Sequence, residues 1–244
     1  MKNKSKKLKP ILSLTGYFLL VITLCVAGII IFHSTYYELI YVSGSSMYPT
    51  LNGSDDEVAG TVVDFGIVDS HKTAIDHITR FDIVSTYYPS DYDASGVLKV
   101  SAKKKIKRVI GMPGDTFTIQ DGLLSVKKDE EFVNVPYNFK ITQTNVKDTT
   151  EPITLDKDEY WLLGDNRVNS NDCGAFNAPV LKKQIAGVLV AIEGTAKLKI
   201  KSYRCDGCGK VFSKRYKSCD KCGGWYFTEQ YDLVNKKYGW PKFF

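Results

Sequence analysis

The chain has 244 residues, of which 43% are hydrophobic, and it carries a formal net charge of +6. A chain of this length and composition can bury a core in one or two domains. Much of the positive charge lies in two short runs, lysines between Lys2 and Lys9 and the segment Lys103–Arg108. Because clustered lysines most often form a solvated face, this charge does not indicate nucleic-acid binding, and we expect no nucleic-acid partner.

The first long segment, Ile11–Phe32, contains no charged residue and is rich in Leu, Ile, Val and Phe. About 22 residues of helix extend roughly 33 Å, enough to cross a hydrocarbon core of about 30 Å. A cleaved signal peptide would have a shorter apolar stretch. We therefore predict a retained transmembrane anchor over residues 11–33. Because lysines precede the span, residues 1–10 are expected in the cytoplasm and the residues after the anchor outside the cell membrane. The protein would then be a single-pass protein of the cell membrane.

Residues 34–200 are predicted to be mostly β. Short runs rich in β-branched and aromatic residues alternate with turns that contain Gly, Pro and Asp. Four of these runs are Phe81–Tyr88, Phe117–Ile119, Tyr160–Leu163 and Gly187–Ile192. Two polar segments, 52–79 and 138–152, are predicted to be irregular loops.

The stretch Ser43–Leu51 follows the anchor closely and holds three serines. Pro49 fixes its own φ and restrains Tyr48, while Gly44 permits a tight backbone. A serine on such a constrained loop can act as a nucleophile. A turn rich in small residues would have the same composition, so this stretch alone does not decide between the two.

A nucleophilic serine needs a base. The chain has three histidines, one beside the anchor (His33) and two in the first irregular segment (His71 and His77), so we do not expect a Ser-His-Asp triad. A buried lysine is the other recurrent partner, because desolvation disfavours its ammonium form. Lys107 lies in a predicted strand that ends at the turn of Gly111–Asp115. A basic edge strand would explain Lys107 equally well.

Four blocks follow the anchor in a fixed order. Their combination resembles the type I signal peptidases, particularly the single-anchor form of Gram-positive bacteria. This resemblance implies an antiparallel β-sheet catalytic domain over residues 34–200. It also implies a serine endopeptidase without a catalytic cofactor, which cuts exported preproteins after small-x-small motifs, with membrane lipid and the export machinery as further partners. The blocks are Ser43–Leu51, Phe81–Val84, Lys107–Asp115 and Gly164–Asp172.

The same resemblance assigns roles by motif position. The family's nucleophile corresponds to Ser46, whose N–H would help to stabilise the oxyanion, and the general base corresponds to Lys107. Ser170 matches a serine that orients the lysine, and Asp172 matches a carboxylate that stiffens the site. Gly44 stands where some members have a serine that adds a second oxyanion donor.

One departure from the family pattern concerns Asp172. Gly174 stands where the family usually has an arginine that pairs with this aspartate. We expect Arg108 or Arg167 to take over the pairing. The departure also leaves open an alternative, a catalytically inactive membrane-anchored binding or assembly protein that keeps the peptidase fold.

The C-terminal part holds two Cys-x-x-Cys pairs, Cys205 with Cys208 and Cys219 with Cys222, and each pair is followed by glycine. Four thiolates at this spacing indicate a structural zinc ribbon, which ordinary type I signal peptidases lack. Two disulfides are the alternative, since an ectodomain lies in an oxidising compartment. We predict a small zinc-ribbon-like module over residues 201–230, followed by a tail over 231–244.

Overall fold

The structure is a computed structural model that describes residues 5–53 and 59–244, with side chains described from Gly16 onward. It divides into a helical unit that ends at Glu38 and a β unit that begins at Leu39. The prediction of a mostly β chain behind one apolar helix is confirmed.

The helical unit consists of helix α1, Ser5–Tyr36. Its segment Gly16–Tyr36 has a mean hydropathy of 2.3 and is the one described helix that is long and apolar enough to span a membrane. Many of its large apolar side chains are exposed, as a lipid-facing helix requires. The predicted anchor, 11–33, lies within α1. Residues 1–4 of the predicted cytoplasmic segment lie outside the described residues.

The β unit contains two antiparallel sheets and two short helices, α2 (Lys72–Asp76) and α3 (Cys173–Phe176). The larger sheet has the order β1-β2-β11-β3-β4-β9-β10, with β12 and β13 also paired to β11, and the smaller has the order β7-β6-β5-β8. The strands are β1 (Tyr37–Tyr41), β2 (Val62–Asp69), β3 (Ile83–Thr86), β4 (Lys105–Gly111), β5 (Thr116–Gln120), β6 (Leu123–Lys128), β7 (Glu131–Val135), β8 (Ile153–Thr154), β9 (Glu159–Leu163), β10 (Val180–Leu181), β11 (Ile185–Cys205), β12 (Val211–Phe212) and β13 (Phe227–Phe243).

Strand β11 organises the larger sheet because it is long enough to pair with several partners. Val188 has partners in both β2 and β3, and Ala191 has partners in both β2 and β13. Strands β3 and β13 therefore follow one another along the same side of β11, opposite β2. The cysteine pairs connect the far ends of β11 and β13, where Cys205 lies opposite Phe227.

The predicted boundaries at 200 and 230 both fall inside strands. β11 continues to Cys205, and residues 231–243 belong to β13, which pairs with β11 as far back as Ala191. The segment 231–244 is therefore mostly a strand of the sheet rather than a separate tail. This segment mixes polar and aromatic residues, and it forms a strand because β11 provides hydrogen-bond partners for its backbone.

The predicted irregular loop over 52–79 is wrong for much of its length, since β2 and α2 lie within it. Most residues of β2 are apolar, and Val63, Phe65 and Val68 are buried in the core. Asp64 is also only 7% exposed, and its carboxylate accepts a 2.7 Å hydrogen bond from Asn52 N. A buried acid with a backbone donor is compatible with a strand. The second predicted loop, 138–152, contains no helix or strand, as expected.

Two apolar clusters hold the β unit together. The larger cluster joins the two sheets, and there Phe117 of β5 packs edge-on against Trp161 of β9 at 5.9 Å between ring centroids. The smaller cluster lies under the serine loop and includes Met47 and Leu51 together with Ile83 of β3. This second cluster fixes the loop that carries the candidate nucleophile.

Candidate active site

The serine loop, residues 43–51, is attached to the core on both sides of its tip. Met47 is 1% exposed and Leu51 is fully buried. Thr50 N and Leu51 N both donate to Met47 O, at 2.9 and 3.0 Å. Gly44 has φ +79°, a left-handed conformation that favours glycine. Ser46 is thus presented from a turn whose backbone and apolar side chains are both fixed.

The loop that follows β9 holds the serine loop from the other side. Asn166 N donates to Ser46 O at 3.0 Å, and Asn166 Nδ2 donates to Ser45 O at 3.2 Å. Asn169 Nδ2 donates to Ser45 Oγ at 2.7 Å. A Cβ on Gly164 would lie 2.4 Å from Ser46 O, so only glycine permits this close approach. These contacts hold the backbone of Ser45 and Ser46 against the loop that follows β9.

Lys107 lies against the serine. Its Nζ is 2.8 Å from Ser46 Oγ and 2.9 Å from Ile106 O. Lys107 is 4% exposed, and burial lowers the pKa of its ammonium group to about 8, although Asp172 opposes the shift. Strand β4 lies between β3 and β9, so the explanation of Lys107 as part of a basic edge strand is wrong.

Ser170 and Asp172 lie behind this pair, but they make different contacts from those expected. In the described part of the chain Ser170 Oγ is buried without a hydrogen-bond partner, so it does not hold Lys107 directly. Asp172 is fully buried and caps α3 by accepting from Gly174 N at 3.1 Å. It also accepts from Gly164 N at 2.9 Å. Asp172 therefore joins the loop after β9 to α3.

Neither arginine pairs with Asp172, contrary to the expectation from sequence. Arg108 instead makes a two-pronged ion pair with Asp165, with Nε–Oδ1 and NH2–Oδ2 distances of 2.8 and 2.6 Å. Asp165 also accepts a hydrogen bond from Thr50 Oγ1 of the serine loop. The guanidinium of Arg167 lies 5.6 Å from the Tyr137 ring centroid. Because Arg108 and Lys107 alternate along β4, Arg108 secures the serine loop from the opposite face.

Replacement of Arg108 by methionine is expected to lower the free energy of unfolding by about 3–5 kcal/mol, because Asp165 would remain buried without its cation. The Arg108 and Asp165 side chains are 5% and 0% exposed. Urea unfolding of the detergent-solubilised full chain would measure the loss. Lys201→Met is the matched control, since it breaks a pair with Asp232 whose side chains are 62% and 54% exposed. Equal stability of the two variants would contradict a structural role for Arg108.

Sequence reasoning missed three residues that shape the site. Asp165 and Asn166 were visible within the block Gly164–Asp172, but their partners lie far away in the chain. Lys147, in the irregular segment, has its Nζ 3.3 Å from Asp172 Oδ1. The two histidines of the first segment cap α2 and are not part of the site.

The four C-terminal cysteines form a second candidate site. Their sulfur atoms all lie within 4.8 Å of one another; Cys205 Sγ is 3.6 Å from Cys222 Sγ, and Cys208 Sγ is 3.5 Å from Cys219 Sγ. Both Cys-x-x-Cys turns have the same form: Gly209 N donates to Cys205 O and Gly223 N to Cys219 O, each at 2.8 Å. The two glycines have φ values of +74° and +70°. Each Cys-x-x-Cys pair therefore forms a tight turn that ends at its glycine.

A family model described as signal peptidase, peptidase S26, matches residues 14–192. This range contains the serine loop, Lys107, Ser170 and Asp172, and it ends before the cysteine pairs. The chain belongs to the signal peptidase family, peptidase S26.

Individual relatives are bacterial. Signal peptidase I P of Bacillus subtilis subsp. natto is 33% identical over 120 residues, which cover 41% of this chain and 59% of that protein. Signal peptidase I V of Bacillus subtilis (strain 168) is 31% identical over 156 residues, which cover 61% and 80% of the two chains. The chain spans 59% and 62% of the length of the first two curated relatives. A crystal structure of a signal peptidase I from Enterococcus faecalis V583 is 25% identical, with a TM-score of 0.34 over 46% of this chain and 96% of that chain.

Proposed function

We propose that this protein is a membrane-bound serine endopeptidase that removes signal peptides from exported preproteins, with Ser46 as nucleophile and Lys107 as general base. One observation carries the proposal: Ser46 Oγ lies 2.8 Å from the Nζ of a lysine that is 4% exposed. Burial brings the lysine pKa to about 8, so a useful fraction of the side chain is neutral near neutral pH.

In the proposed reaction, Ser46 Oγ attacks the carbonyl carbon of the scissile peptide while neutral Lys107 takes the hydroxyl proton. The Ser46 N–H stabilises the oxyanion. Lys107 then passes the proton to the leaving amine, which yields an ester on Ser46 and a free N-terminus. Water attacks the ester with Lys107 again as base, and this step releases the signal peptide and restores the serine.

The family and its curated relatives support the choice of substrate, since these relatives bear the name signal peptidase I. Helix α1 supports a site held at a membrane, where lipid and the export machinery are further partners. The lysines that precede the apolar segment of α1, between Lys2 and Lys9, support a cytoplasmic N-terminus and an extracytoplasmic β unit. Cleavage after small-x-small motifs follows from the family resemblance.

The proposal is tested by incubating the detergent-purified full chain with a preprotein whose signal ends in Ala-x-Ala. We expect one cut after the second alanine, identified by N-terminal sequencing of the product. A variant preprotein with a bulky residue at the cleavage-site alanine should resist cleavage. Tight binding of the intact preprotein without cleavage would favour the alternative, an inactive anchored binding protein.

We also propose that the four cysteines hold a structural zinc ion. Thiolates at a Zn–S distance of about 2.3 Å lie about 3.8 Å apart around a tetrahedral ion. The sulfur spacing and the two matching turns fit this ion, which would be bound by Cys205, Cys208, Cys219 and Cys222. A closed set of four thiolates leaves no position for substrate, so the ion would stabilise the β11–β13 connection without taking part in catalysis.

The purified protein is expected to contain about one zinc ion per chain by atomic emission. Cys205→Ser should lose most of the metal, because it removes one of four ligands. Cys25→Ser is the matched control, since this cysteine lies in α1, and it should keep the zinc. A metal-free protein in which denaturation exposes no titratable thiol among the four would indicate the disulfide alternative instead.

A further inference from the structure

Lys147 makes two contacts directly behind the Ser46–Lys107 pair. Its Nζ lies 3.3 Å from Asp172 Oδ1 and donates to Ser170 O at 3.1 Å. Its side chain is only 10% exposed, and the carboxylate it meets is fully buried. A lysine is rarely withdrawn from water to this extent without a specific anionic partner.

Gly174 provides the space for this lysine. A Cβ at position 174 would lie 2.8 Å from Lys147 Cδ and 3.4 Å from Asp172 Oδ1. A side chain at 174 and the present path of Lys147 would thus compete for the same volume beside the same carboxylate. The Lys147 side chain can therefore reach Asp172 along its present path because residue 174 has no side chain.

We propose that Lys147 is a positioning residue that neutralises and orients Asp172 beneath the Ser46–Lys107 pair, in the volume that Gly174 leaves open. This inference rests on the proposed function of that pair. Asp172 joins Gly164 to α3, and Gly164 lies against Ser46 O. The cation of Lys147 therefore acts on the site through Asp172.

The charges that face Lys107 determine the sign of the effect. Asp172 and Asp165 favour its protonated form, whereas Lys105 disfavours it. The Cys173 thiol also lies nearby, and burial raises its pKa to about 12, so it stays neutral. Without Lys147 the negative charge of Asp172 would act more strongly on Lys107, and the pKa of Lys107 would rise.

The experiment compares Lys147→Met with Lys147→Arg in the full chain, measuring preprotein cleavage from pH 6 to 10 and thermal unfolding. For Lys147→Met we expect about a fivefold loss of kcat at pH 8, a shift of the acidic limb upward by about one pH unit, and a lower Tm. Lys147→Arg should keep the wild-type limb because it preserves the cation. Lys140→Met, which removes an exposed lysine of the same segment, is the matched control and should change neither quantity.

If Lys147→Met folds poorly, a second pair of variants, which moves the cation from position 147 to position 174, still tests the proposal. Gly174→Arg alone should lower Tm and activity, because its Cβ meets Lys147. The double variant Lys147→Met with Gly174→Arg should recover both to within about threefold in kcat, since the cation then reaches Asp172 from α3. A swap that fails to recover Tm, or a Lys147→Met enzyme whose acidic limb does not shift, would overturn the proposal.

The unfolding measurements separate this proposal from the function itself. A wild-type chain that cleaves no preprotein would refute the peptidase, but the recovery of Tm in the double variant would still report whether Lys147 and position 174 share one role. Full cleavage together with additive losses of Tm would leave the peptidase intact and refute the role of Lys147.

Discussion

Ser46→Ala is expected to lower kcat for preprotein cleavage by at least about a thousandfold, because the variant has no hydroxyl to form the acyl-enzyme. The loss should be in kcat with little change in KM, since Met47 and Leu51 keep the loop in place whether or not Ser46 bears oxygen. Single-turnover cleavage followed by gel analysis would measure it.

Ser43→Ala is the matched control for this experiment. Ser43 lies in the same loop but is exposed, so its loss should leave kcat within about twofold. An Ser46→Ala enzyme that cleaves at the wild-type rate would place the nucleophile elsewhere. Loss of cleavage in both variants would mean that the loop, rather than one hydroxyl, had been damaged.

The second large effect concerns pH. Lys107 must be neutral to accept the serine proton, and burial places its pKa at about 8. Below this value each pH unit should lower kcat/KM about tenfold, so the rate at pH 6 should be about a hundredth of the plateau above pH 8. Initial rates in buffers of constant ionic strength would give the profile.

Lys107→Arg tests the same point from the other direction. Arginine keeps a positive charge but stays protonated throughout the accessible pH range, so it cannot act as base. We expect cleavage to fall by at least about a thousandfold at every pH, with no recovery at pH 10. A wild-type profile that stays flat between pH 6 and 8 would exclude Lys107 as the group that titrates.

The parts of the fold that could be predicted are those with local causes. The strands β5 and β9 lie where β-branched and aromatic residues cluster between turn residues. Helix α1 follows from an uncharged run of spanning length. Ser46 and Lys107 could be singled out because each lies in a recognisable block. No local feature shows that Ser46 Oγ and Lys107 Nζ, 61 positions apart in the chain, lie 2.8 Å from each other in the fold.

The parts that could not be predicted depend on distant partners. Lys147 lies in a polar irregular segment, where a lysine would ordinarily be solvated, and only the folded chain brings it to Asp172. Arg108 pairs with Asp165 and not with the expected Asp172, because sequence order does not show which face of β4 meets which loop. Strand β13 has mixed polar and aromatic residues, and it is extended because β11 supplies its hydrogen bonds.

The end of β13 lies next to the serine loop, and this affects how the cysteine module can be removed. Lys242 Nζ donates to Thr50 O at 3.1 Å, and Phe244 N donates to Val190 O at 3.2 Å. Truncation after residue 200 would delete β13 as well and leave one side of β11 with unpaired backbone groups. A short turn that joins β11 directly to β13 would delete the cysteines alone and keep the contacts of Lys242 and Phe244.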